Sequence, residues 1–67
     1  MKTEWHYHLD NTYSVGIKKT GGVFLWYIYL TKDGAHAVWR ASSEQPTREL
    51  AKKDAQSVVK RLPHHYG

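Results

Sequence analysis

The run Val23 to Leu30 reads VFLWYIYL, apolar or aromatic at every position. Successive strand residues point to opposite faces, so a strand laid along it puts large side chains on both sides of a sheet. A chain of 67 residues buries only roughly 60% of the surface its unfolded form exposes. It cannot cover both faces of a sheet with helices, so one face must find its cover elsewhere. The sequence contains no cysteine, which rules out a disulfide framework or a thiolate zinc cluster and leaves packing to hold the fold.

Two glycine-containing dipeptides bracket the run, Gly21-Gly22 before it and Asp33-Gly34 after it. Both supply the positive φ angles of two-residue hairpin turns. The run is therefore predicted to be a central strand, with residues 13–18 as the strand before it and 35–42 as the strand after. The turns set the registers. A Gly21-Gly22 loop places Ile17 opposite Trp26, Val15 opposite Ile28 and Tyr13 opposite Leu30. An Asp33-Gly34 loop places Lys32 opposite Ala35, Leu30 opposite Ala37, Ile28 opposite Trp39 and Trp26 opposite Ala41. Both hairpins agree on one apolar inner face, on which Trp39→Ala is expected to cost about 3 to 5 kcal/mol. The other face collects Lys18 beside Leu25, Gly16 beside Tyr27, Ser14 beside Tyr29, Val38 beside Tyr29 and Arg40 beside Tyr27, with His36 near the edge. A ring over Gly16 would shield its bare backbone.

The stretch QPTRELAKKDAQSVVKRLP carries helix signals. Thr47 is the predicted N-cap, and Pro63 is expected to end the helix after Leu62. Ala51, Ala55, Val58, Val59 and Leu62 recur at helical spacing and should pack on the inner face, the alanines admitting Trp26 and Trp39. Lys52, Lys53, Gln56 and Lys60 should face solvent. At the other end EWHYHL alternates; it either adds a strand pairing Tyr7 with Val15 and Trp5 with Ile17, around a loop of Asp10, Asn11 and Thr12, or forms a loose arm. The expectation is one α+β domain over residues 1–67: a three-stranded antiparallel β-meander, four-stranded if EWHYHL joins it, packed on one C-terminal α-helix. Residues 1–12 are the extra strand or arm and 63–67 a tail.

The formal charge of +4 and pI near 9.5 permit a polyanionic partner. Nine Trp, Tyr and Phe side chains exceed what so small a core can hold, which leaves some at the surface. On the open face Lys18, Lys19, Lys32 and Arg40 would neutralise phosphates, and Tyr27 and Tyr29, with His36 at the edge, would pack on sugars or bases. The competing expectation is a phage-type protein-interaction factor or inhibitor that binds a host protein, or a homodimer, through the same aromatic face, since Tyr and Arg in apolar surroundings also make interface hot spots.

GGVFLWYIYLTKDG, the return strand AHAVWRASS and the helix TRELAKKDAQSVVKRL resemble, in order and length, the arm-type N-terminal DNA-binding domains of phage and transposon integrases. The resemblance spans residues 13–62. It implies a sheet laid in the major groove of duplex DNA and a small module of the kind found in phages and mobile elements. The ethylene-response-factor domains of plants share the layout. Those domains carry several arginines on the sheet, whereas here Arg40, with Lys18 nearby, faces outward. The helix, with Lys52 and Lys53, also looks like the closing helix of double-stranded RNA-binding domains, but that family's N-terminal helix has no counterpart.

His6, His8, His36, His64 and His65 match no metal-ligand signature and read as surface histidines. KKTGG (Lys18 to Gly22) is followed by a strand instead of the helix a phosphate loop needs. Without cysteine, paired carboxylates or a nucleophile motif, neither catalysis nor a cofactor is expected. No stretch is long and apolar enough to span a bilayer, and MKTEWHYHLD lacks the features of a secretion signal. A cytoplasmic protein is expected, with no membrane partner.

Overall fold

A computed structural model describes residues 3–32, 37–40 and 44–63. Four strands, β1 (Glu4–His8), β2 (Tyr13–Thr20), β3 (Val23–Leu30) and β4 (Ala37–Arg40), precede one helix, α1 (Arg48–Val59). The strands form one antiparallel sheet in the order β1-β2-β3-β4. It is an α+β fold, an open sheet with a single C-terminal helix on one side.

EWHYHL supplies a strand. β1 pairs Trp5 with Ile17 and Tyr7 with Val15 as the alternation implied, and the turn after it is held by Asp10, whose Oδ1 accepts from the amides of Thr12 (2.8 Å) and Tyr13 (2.7 Å). In the β2–β3 hairpin Gly21 and Gly22 have φ of 55° and 87°, the left-handed pair of a type I′ turn. The register is the predicted one, Ile17 against Trp26 and Val15 against Ile28.

The β3–β4 register departs from a plain hairpin. Ile28 faces Trp39 and Tyr27 faces Arg40 as expected, but Tyr29 then faces Ala37. Val38 is the extra residue of a β-bulge, so the expected pairs Leu30 with Ala37 and Val38 with Tyr29 do not form. The Asp33-Gly34 turn, the Lys32–Ala35 and Trp26–Ala41 pairs and His36 lie outside the described residues. Past β4, Gln45 returns to the ladder as a single bridge, exchanging both backbone hydrogen bonds with Phe24 (2.8 and 2.9 Å).

Thr47 caps α1, its hydroxyl accepting from the Leu50 amide at 3.2 Å. The α-helix stops at Val59, three residues before the expected end. Arg61 and Leu62 instead donate to Val58 and Val59, three residues back, a tighter turn that closes the helix before Pro63. The Tyr13 hydroxyl donates to the Pro63 carbonyl and ties this end to the sheet.

α1 packs against β2 and β3. The core joins Tyr13, Val15, Ile17, Trp26 and Ile28 to Ala51, Ala55 and Val59. Trp39 is the main correction. Its place opposite Ile28 is the predicted one, yet it is 49% exposed, because the helix lies over β2 and β3 and not over the β4 edge. The cost of 3 to 5 kcal/mol expected for its deletion therefore does not apply. Lys52, expected in solvent, lies over the Tyr7 ring, Nζ 4.4 Å from the centroid.

Candidate nucleic-acid interface

The second face of β3 is covered by its own rings. β2 offers only Ser14 and Gly16 beneath Tyr29 and Tyr27, a furrow of small residues. The Tyr27 ring lies so close over Gly16 that a methyl group there would collide with it. Ser14 is fully buried and its hydroxyl pairs with that of Thr31 at 2.7 Å. Tyr27 and Tyr29 stand with centroids 5.8 Å apart, and the His6 ring meets both edge-on at 6.3 and 5.8 Å.

The polar tips of these rings are tied together. Glu4 Oε2 accepts from the Tyr27 hydroxyl at 2.9 Å and meets His6 Nε2 at 2.7 Å, while His6 Nδ1 lies 3.0 Å from the Tyr29 hydroxyl. With a neutral imidazole, every contact is satisfied when the proton sits on Nε2, which then donates to Glu4 while Nδ1 accepts from Tyr29. The Tyr27 hydroxyl, more than any other neighbour, holds the Glu4 carboxyl below its ordinary range, with His6 adding to the effect. Burial first, and then the bond to Glu4, pushes Tyr27 up to about 12. The rings are thus held in place by hydrogen bonds at their polar tips.

The cations come from different strands. Lys18 stands opposite Leu25 on one side and Glu4 on the other; Arg40 stands opposite Tyr27. Lys18 and Arg40 line the same hollow of about 200 Å³, with Leu25 and Tyr27 between them. Of the remaining predicted site residues, Lys19 is separated from this group: it pairs with Phe24, whose side chain belongs to the helix side of the sheet, and lines a cleft there with Trp5 and Arg48. Lys32 lies in the turn past the far end of β3, an end roughly 17 Å along the strand from Leu25, and His36 lies outside the described residues. Glu4 and His6 were missed as members of the site. Their signal was in the alternation, since the register that sets Tyr7 against Val15 also sets Glu4 against Lys18 and His6 against Gly16.

Among the described residues no group of three or more His, Cys, Asp or Glu side chains converges to hold a metal ion, and no helix among them is long and apolar enough to cross a membrane. No protein-family model matches the chain, and no curated protein or solved structure matches it significantly.

Proposed function

We propose that the open face of the sheet binds nucleic acid, duplex DNA in preference, with Lys18 and Arg40 neutralising phosphates and the rings of Tyr27 and Tyr29 against sugars and base edges. The observation that carries this reading is the hollow shared by Lys18 and Arg40, in which two cations from different strands flank Leu25 and an oriented tyrosine ring. The net positive charge of the chain acts in the same direction. The resemblance of residues 13–62 to arm-type integrase domains favours a duplex, because a twisted sheet enters the major groove, where Arg40 would donate to guanine. Glu4 has a part in this reading: it occupies the Tyr27 hydroxyl and sets a negative charge beside Lys18, which limits nonspecific attraction to any polyanion.

A second reading, in which the same face meets a host protein or another copy of the chain, draws on Leu25 and Val38, both exposed on the strands that carry the hollow. A titration against duplex DNA, single-stranded DNA and duplex RNA at two salt concentrations separates them. The nucleic-acid reading expects binding that weakens steeply with salt, and a Lys18→Gln/Arg40→Gln variant whose log–log salt slope is shallower by about 2, roughly 0.9 for each phosphate that the variant no longer neutralises. Absence of binding to all three, together with a dimer in sedimentation or capture of a protein through Tyr27 and Leu25, selects the second reading.

A further inference from the structure

On the helix side of the sheet, beside the start of α1, lies an open cleft of about 330 Å³. Its aromatic lining is Trp5 of β1 and Phe24 of β3, ring centroids 6.0 Å apart and planes inclined by 47°. Both rings are only half buried. Lys19 and Arg48 add positive charge. Arg48 lies over the Trp5 ring, its guanidinium carbon 4.8 Å from the centroid, a cation–π contact that holds this charge at the cleft. Glu49 also lines the cleft, its side chain 76% exposed and its Oε2 3.7 Å from Arg48 Nε; two cations against one carboxylate leave the lining net positive. Rings that take a planar group, next to cations that take an anion, fit a base and its phosphate. The volume is at the low end of the range for small-molecule pockets, roughly 300 to 1,000 Å³, and suits one nucleotide instead of a duplex.

The cleft and the proposed interface lie on opposite faces of the same stretch of β2. Lys18 and Lys19 are neighbours on β2 and point to opposite faces, one into the hollow of the open face and the other into this cleft. Between the two faces stands the tip of the β2–β3 hairpin, about 10 Å beyond Lys18. Gly21 and Gly22 leave that tip bare, with nothing within 4 Å of where their side chains would begin. A single strand leaving the end of a duplex could pass over it within a few nucleotides.

We propose that this cleft takes one unpaired nucleotide, its base against Trp5 and Phe24 and its phosphate on Lys19 and Arg48, so that the protein prefers a duplex with a single-stranded overhang to a blunt one. This rests on the nucleic-acid reading of the open face, and the test keeps the two apart. Fluorescence anisotropy is measured with one labelled duplex, blunt or carrying a six-thymidine 3′ overhang. The overhang is expected to tighten binding about tenfold, the order of one base stacked on aromatic side chains. Lys19→Gln/Arg48→Gln should erase that gain and leave blunt-duplex affinity within about twofold. Lys19→Gln alone, at an exposed position, should remove at least half of the gain without disturbing the Arg48–Trp5 stack. Lys18→Gln/Arg40→Gln should weaken both duplexes and preserve their ratio. A ratio near one in the wild type, or a tenfold ratio that survives in Lys19→Gln/Arg48→Gln, overturns the cleft. Titration with thymidine monophosphate, followed by the Trp5 indole N–H resonance, supplies the independent readout. A saturable shift without duplex binding supports the cleft and overturns the open-face reading; duplex binding without that shift overturns the cleft alone. A glutamate-rich peptide containing one phenylalanine that displaces the monophosphate at lower concentration would make the occupant a protein segment and also overturn the proposal.

Discussion

The two edges of the sheet flank the same helix and end differently. On β1, Trp5 and Tyr7 lie one strand beyond the pair that α1 covers, and Arg48 and Lys52, four residues apart on one flank of the helix, reach out over their rings. On β4, Trp39 is equally one strand beyond, and the helix carries Leu50 and Asp54 at the same spacing. Leu50 is 45% exposed, and Asp54 is occupied by the Trp26 indole at 3.0 Å and the Gln45 amide at 3.3 Å. Trp39 therefore stays half in water. A helix about 10 to 12 Å across covers about two strands spaced nearly 5 Å apart. Beyond those, burial depends on whether the helix flank carries side chains long enough to bridge the gap, and lysine and arginine stems do so while their charged ends stay wet.

The largest expected effect tests this contrast with one residue type on one face. Trp26→Ala should cost about 3 to 5 kcal/mol in chemical denaturation and Trp39→Ala less than about 1 kcal/mol. Equal losses would mean that α1 reaches β4 after all. Next comes Gly16→Ala, which drives a methyl group into the Tyr27 ring and should cost about 1 to 3 kcal/mol. Combined with Tyr27→Ala, it should cost less than the two separate losses together, and strict additivity in a double-mutant cycle would mean that ring and glycine do not touch.

The attachment of β1 should also depend on pH at both extremes. Tyr27 is raised from 10 to about 12 in the folded chain, so its contribution is intact below pH 10 and is lost as pH rises from 10 through 12. Glu4 is lowered from its ordinary 4.5, so its contribution is intact above that value and is lost as pH falls below it. Tyrosine absorbance and β1 amide exchange, followed across both ranges, check the two signs. Tyr27→Phe should remove the alkaline loss and return the Glu4 titration toward its ordinary value; an unchanged alkaline profile would place the cause elsewhere.

The smallest effects address the edges themselves. Lys52→Ala should cost about 0.5 to 1 kcal/mol by uncovering Tyr7. Leu50→Arg, which gives the β4 flank the kind of side chain the β1 flank already has, should gain about 0.5 kcal/mol and lower the solvent quenching of Trp39 fluorescence. No change in either would mean that the long cations lie over the rings without holding them.

What the sequence by itself determined is what depends on neighbours along the chain. The Gly21-Gly22 turn sets the β2–β3 register, and the two-residue period then decides that Val15, Ile17, Trp26 and Ile28 share one face while Ser14, Gly16, Tyr27 and Lys18 share the other. The capping hydroxyl of Thr47 starts the helix, and the ring over Gly16 followed from its place opposite Tyr27. For the candidate site, this made Lys18, Tyr27 and Arg40 legible together. Only the tertiary structure decided that β1 joins the sheet and brings Glu4 and His6 to the rings, that Val38 bulges and shifts Tyr29 to Ala37, that Lys19 keeps company with Trp5 and Arg48, and that Trp39 is left half exposed. Alternation is a property of the backbone pleat and can be read two residues at a time. Burial is a property of what lies above a residue, and that depends on where a helix distant in sequence comes to rest across the sheet.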